Sequence, residues 1–284
     1  MVHSSSPIGV FDSGVGGLSV LQALRQELPG ESFVYLADNA YAPYGERGDA
    51  FVAERTLAIG NYLLRSHAIK ALVVACNTAT AAAIHLLRAQ WPDLLLVGVE
   101  PALKPAAASS RTGHIGVIGT RGTLGSAKFA QLQASLPPTV QCHLQPCDGL
   151  AYAIERSALQ SDDAAQADVA ALCQRYLQAL GHFGSGDGSM DTLVLGCTHY
   201  VFVTPLLRSL LGPQVTLIDT GAPVARQTAR LLQTAKLQTP DKTPAQVQLL
   251  TTGDLALLRA GASRWLQLST ADCHTVALPA PDYA

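Results

Sequence analysis

Two cysteines carry the residue types and spacing most suited to chemistry. Cys76 ends the apolar run Ala71–Ala75 and is followed by Asn77 and Thr78; Cys197 ends the run Leu193–Leu195, after Gly196, and is followed by Thr198 and His199. A thiol has a reference pKa near ~8.5, so modest tuning lets it act as thiolate or as acid. Four readings compete. Both cysteines could be buried apolar residues, as free cysteines commonly are; Cys142, Cys147, Cys173 and Cys273 keep that reading. They could bind zinc, but Cys197-x-His199 and Cys142-His143 are the nearest approach to ligand spacing, and no CxxC or HxxxH pair occurs. Cys197 and His199 could form a nucleophile pair for acyl transfer, which leaves Cys76 unexplained. Or the two thiols could face each other across one cleft, one removing a proton from a carbon and the other returning a proton to its opposite face. A helix starting beyond Cys76 would place its N-terminal dipole near the sulfur and favour thiolate.

The elements that must position these residues alternate. Ile8–Phe11 reads as a buried strand, Asp12–Gly17 as a Gly-rich turn, and Leu18–Leu28 as a helix with leucines at 18, 21, 24 and 28 on one face. Further strands are expected at 33–36, 71–75, 94–99, 115–118, 140–144, 193–195 and 215–218. Helices are expected near 49–66, 79–89, 126–136, 149–159, 163–181 and 224–232, with a helix start near Pro101 and Pro105. Gly184–Ser189 reads as a flexible loop, and the tail beyond 236 as strand, turn and short helix. Such alternation implies mostly parallel sheets flanked by helices, with ligands beyond the carboxyl ends of the strands. The turn at Gly14–Gly17 fails the phosphate-cradling GxGxxG because position 19 is Ser, so close turn packing is expected there. Asp12 alone could cap the helix behind it, and His199 alone could be a satisfied core histidine.

The chain also repeats itself. Ile8-Gly-Val-Phe-Asp-Ser-Gly-Val-Gly-Gly-Leu18 resembles Ile115-Gly-Val-Ile-Gly-Thr-Arg-Gly-Thr-Leu124, and Ala71-Leu-Val-Val-Ala-Cys-Asn-Thr78 resembles Thr192-Leu-Val-Leu-Gly-Cys-Thr-His199. The order is the same in each half, and each half delivers one cysteine from a strand end. We therefore expect two pseudo-symmetric α/β domains with the active site between them: residues 1–100 with 210–284, to which the chain returns, and residues 101–209.

Composition narrows the function classes. Of 284 residues, 48% are apolar and 14% charged, against a usual charged share of about 25%, which excludes a disordered chain. Nineteen Lys+Arg against 21 Asp+Glu leave a net charge of −2 with no basic patch, so no nucleic-acid partner is expected. No uncharged apolar run is long enough for a membrane span, Met1–Pro7 does not read as a secretory signal, and six scattered cysteines suit a reducing cytoplasm.

At Gly9–Leu18, Pro43-Tyr44-Gly45, Ala75-Cys-Asn-Thr-Ala79, Gly196-Cys-Thr-His-Tyr200 and Thr252-Gly-Asp254 the chain resembles the glutamate racemases of the aspartate/glutamate racemase superfamily, over residues 7 to about 268. The resemblance implies interconversion of L- and D-glutamate without pyridoxal phosphate, metal or other cofactor, supplying D-glutamate for peptidoglycan. It implies that Cys76 handles the proton on the D-glutamate side and Cys197 on the L-glutamate side, assisted by Asp12 and His199, with Glu155 supporting the histidine. Asp12, Ser13, Tyr44, Gly45, Asn77, Thr78, Thr120, Thr198 and His199 would bind substrate. The family commonly has Cys-Pro where this chain has Cys147-Asp148-Gly149. A regulatory site on an N-terminal extension is not expected, and a homodimer is. The alternatives are a racemase for aspartate or hydantoins, and a small-ligand binding protein of the same fold.

Overall fold

The computed structural model describes residues 3–160, 163–240 and 245–279; parts of the sequence readings of the N-terminus and of the tail beyond 236 lie outside them. The chain opens as strand–helix units: β1 (Ile8–Asp12), α1 (Leu18–Glu27), β2 (Phe33–Ala37), α2 (Asp49–His67), β3 (Ala71–Val74), α3 (Asn77–Gln90), β4 (Leu95–Gly98) and α4 (Leu103–Ser109). A second series follows: β5 (His114–Gly119), α5 (Arg121–Leu124), α6 (Ala127–Ala134), β6 (Gln141–Pro146), α7 (Leu150–Leu159), α8 (Asp163–Leu180), β7 (Thr192–Gly196), α9 (Thr204–Leu211), β8 (Thr216–Ile218) and α10 (Gly221–Thr234). The described chain closes with β9 (Val247–Thr251), α11 (Leu255–Leu266) and β10 (Cys273–Thr275).

All pairings between these strands are parallel. One sheet has the order β10-β9-β2-β1-β3-β4, the other β6-β5-β7-β8. Within the first lies the order 2-1-3-4, and the second repeats it strand for strand. β1 thus corresponds to β5 and β3 to β7, the pairs whose sequences resemble each other. The first sheet is longer because β9 and β10 add to the β2 edge. The strands change sheet between β4 and β5 and again between β8 and β9, so β8 lies past the 209/210 division read from the sequence.

Alternating side chains cover both faces of the first sheet, as strands buried on two sides require. Val10, Tyr35 and Val73 join the cluster that receives Leu18, Leu21 and Leu24 of α1. Phe11, Leu36, Leu72 and Val74 join the cluster on the opposite face. The second sheet is flanked likewise by two clusters. Two elements differ from the sequence reading. Cys197 leads into a 3-10 turn, Thr198–Val203, before α9, and α9 itself is not anticipated, although Leu207 and Leu211 give it a buried stripe. α11 is twelve residues rather than a short helix.

Candidate active site

Cys76, Asp12, Ser13, Tyr44, Gly45, Asn77, Thr78, Thr120, Glu155, Cys197, Thr198 and His199 all line one pocket of about 460 Å³. Most sit where a strand hands over to the next element; Glu155 lies within α7, and Tyr44 and Gly45 in a short turn before α2. Asp12 ends β1, Cys76 follows β3 as the N-cap of α3, and Cys197 follows β7. The two thiols therefore reach the pocket from matching strand ends of the two halves. Cys142 and His143, the other candidate metal ligands, lie on β6 away from it; His143 pairs with His114 at 3.1 Å. Cys147, Cys173 and Cys273 are buried, while Cys142 is only half-buried.

On the Cys76 side, Sγ points to Ser13 Oγ at 3.7 Å, and Ser13 Oγ donates to Asp12 Oδ1 at 3.4 Å. Asp12 also accepts the backbone N–H groups of Ser13 and Gly17 and the hydroxyl of Thr198. Burial raises the Asp12 carboxyl to about 6, against the attraction of His199 and those N–H donors. Burial also pushes the Cys76 thiol up, and the neighbouring Asp12 charge adds to it. The N–H of Ala79, 3.4 Å from Sγ, opposes this, but it does not win. The helix start at α3 thus acts as expected in direction, but it does not make Cys76 a resting thiolate: burial in a pocket lined by no Lys or Arg outweighs it.

On the Cys197 side the contacts run through an imidazole. His199 Nδ1 lies 3.6 Å from Cys197 Sγ, and its Nε2 lies 2.7 Å from Glu155 Oε1. Burial works against a charged His199, yet its contacts with Cys197 and Glu155 hold its pKa well above the ordinary value. Glu155, on α7, also accepts the N–H of Val15 at 2.9 Å. The Gly-rich turn explains itself here. A Cβ on Gly14 would sit 1.9 Å from Glu155 Oε1, one on Gly16 2.3 Å from His199 Nδ1, and one on Gly17 2.6 Å from Asp12 Cβ. The turn is glycine because the acid–base residues of both halves press against its backbone.

The remaining wall is made of amides and hydroxyls. Both side-chain polar atoms of Asn77 are buried without a partner, although the side chain lines the pocket. Such atoms call for a ligand that offers both an acceptor and a donor. Thr78 Oγ1 meets Thr120 Oγ1 at 3.0 Å and Thr123 Oγ1 at 3.3 Å, joining α3 to α5 across the halves. Tyr44 takes part differently. Its hydroxyl is committed to Asp38 at 2.5 Å, and Asp38 is held by Arg55 and Thr252, so the 44–45 turn meets the pocket on a fixed platform.

The family model for Asp/Glu/hydantoin racemases matches residues 8–228. The chain belongs to that family. It is 49% identical over 261 residues to a glutamate racemase of Ectopseudomonas mendocina, covering 92% of this chain and 94% of that relative. Its fold superposes on the Escherichia coli glutamate racemase in complex with L-glutamate and the activator UDP-MurNAc-ala, with a TM-score of 0.82, 30% identity, and 97% and 100% of the two chains covered. The Francisella tularensis glutamate racemase in complex with D-glutamate gives a TM-score of 0.80 at 26% identity over 96% of this chain and 98% of that one.

Sequence reasoning missed three parts of this racemase site. Thr123 closes the hydroxyl cluster, and its place in the repeat of the Gly17-Leu18 segment was the available signal. Tyr152, on α7, lines the pocket while 55% exposed and gives no sequence signal. The Asp38–Arg55 pair behind Tyr44 is wholly buried, and a chain with so few charges offers its rare buried ones as candidates.

Proposed function

We propose that this racemase interconverts L- and D-glutamate with Cys76 and Cys197 as the opposed acid and base. The observation that carries the reading is that the two thiols reach one pocket from equivalent strand ends of the two halves. For L-glutamate, Cys197 removes the α-proton as a thiolate paired with the His199 cation and keeps it as a thiol, and Cys76, resting as a thiol, delivers a proton to the opposite face. For D-glutamate, Cys76 first passes its proton through Ser13 toward Asp12, whose carboxyl is ionised at neutral pH. Charge developing on the α-carboxylate meets hydroxyl, amide and backbone donors fixed in advance, the arrangement that stabilises such charge best. Asn77 suits an amino acid, since its Nδ2 can donate to a carboxylate and its Oδ1 can accept from an ammonium.

The D-glutamate would serve peptidoglycan synthesis, and the enzyme would work in the cytoplasm. No described helix is long and apolar enough to cross a membrane, and the six cysteines are free. We also propose a homodimer, which sedimentation of the purified chain tests.

Circular dichroism of L-glutamate incubated with the protein and no added cofactor tests the reading. Optical activity should decay, unaffected by chelator or carbonyl reagents. A requirement for added metal or pyridoxal phosphate would contradict it. Equal turnover of aspartate would move the reading to another racemase of the family, and none at all to a binding protein. Glutamate is expected to win clearly, because a shorter ligand leaves buried donors unpaired.

A further inference from the structure

Tyr35 lies on β2, opposite Val10 of β1, and is fully buried. Its ring belongs to the apolar cluster under the first sheet, a place a phenylalanine would fill equally well. The hydroxyl is what needs explaining. It donates to the carbonyl oxygen of Gly14 at 2.6 Å. That carbonyl and the N–H of Val15 belong to one planar peptide unit. The Val15 N–H, at the other end of the plane, donates to Glu155 Oε1, the same oxygen that meets His199 Nε2. An unbroken line therefore runs from Tyr35 through one rigid amide to Glu155, His199 and Cys197.

We infer that Tyr35 is a positioning residue for the Cys197 half of the reaction, acting from the other half of the molecule through the Gly14–Val15 peptide. The hydroxyl fixes the tilt of that plane, and a hydrogen bond accepted at the carbonyl strengthens the donor at the N–H. Gly14 has no Cβ, and one would fall 1.9 Å from Glu155 Oε1, so the plane can approach Glu155 closely and the Tyr35 bond helps to set its tilt. Glu155 is thereby aimed at His199, and the imidazole at the thiol. The inference rests on the two-cysteine reading above.

Tyr35→Phe keeps the packing and removes the bond. Racemisation should fall about tenfold in kcat, the order of one hydrogen bond, with KM within about twofold. Asp12 and Cys76 also lie within electrostatic reach of Tyr35, so iodoacetamide labelling of the substrate-free protein, read at each cysteine by mass spectrometry across pH, should show the Cys197 profile displaced clearly further than the Cys76 profile. Combined with Glu155→Gln, Tyr35→Phe should add nothing to the loss caused by Glu155→Gln alone. Additive losses, equal displacement of both cysteines, or a variant that does not fold would each overturn the inference, the last because the hydroxyl would then serve the core. Failure of the two-cysteine reading would show instead in the unsubstituted enzyme, as early deuterium in recovered substrate or the original proton carried into product during conversion in heavy water.

Discussion

At the scale of single residues, the site is two unlike acid–base sets sharing one turn. Cys76 meets a hydroxyl with a carboxylate behind it, and Cys197 meets an imidazole with a carboxylate behind it. Cys76→Ser and Cys197→Ser should each lower kcat/KM about a thousandfold, the span a positioned proton-transfer group contributes. Enantiomers have equal free energy in water, so both directions must lose kcat/KM equally. Unequal losses would mean the assay is not reporting racemisation. Asp12 is expected to set the pH dependence. Its carboxyl titrates at about 6 in the fold against an ordinary 3.8. It must be ionised to accept the Cys76 proton, so kcat/KM should rise through about pH 6. The same shift carries a stability consequence. Between about pH 4 and about pH 6 the folded protein holds a proton that the unfolded chain has released, so this group's contribution to stability falls as pH rises across that window. Asp12→Asn should flatten that slope in urea titrations and abolish most activity.

At the scale of elements, strand ends and one turn do the positioning. Gly14→Ala and Gly16→Ala place a methyl group against Glu155 and His199, so each should cost most of the activity while thermal unfolding moves little. The reverse holds for the platform under Tyr44. Asp38 and Arg55 form a buried pair, and Asp38→Asn should destabilise the fold by about 3–5 kcal/mol, the span for a broken buried ion pair, while raising KM. Denaturant titration and initial rates separate the two outcomes. These elements also mark how much the sequence disclosed. The runs ending at Asp12, Cys76 and Cys197 are short, apolar and followed by small polar residues, and the repeat places them in equivalent positions. Twelve site residues could thus be named from pattern and resemblance, and the structure gathers them at one pocket. Thr123, Tyr35 and the Asp38–Arg55 pair were missed for a different reason. Their roles come from contacts between segments distant in sequence, and a threonine in a turn or a tyrosine in a strand carries no local signal of that. The direction of the Cys76 shift was likewise set by burial, which the helix-start pattern does not report.

At the scale of the whole molecule, two copies of one strand order face each other, and the hydroxyls of Thr78, Thr120 and Thr123 join them above the pocket. Packing of Phe202 on Trp265, with ring centroids 3.8 Å apart, joins them again away from it. We propose that substrate passes between the halves as they separate and close, with the crossings after β4 and β8 as hinges. We propose two domains divided at the same crossings, with the second boundary beyond β8 rather than at 209/210. Enclosure matters because two thiols can exchange protons with solvent between turnovers but not during one. That makes isotope transfer from water the most direct test of the central claim, that the two cysteines act on opposite faces of one carbon. L-glutamate is converted in heavy water and sampled early. D-glutamate should carry deuterium at Cα while recovered L-glutamate stays largely unlabelled, and the reverse experiment should mirror it. Early label in the recovered substrate, or the original proton carried into product, would mean one base serves both faces and would contradict the account.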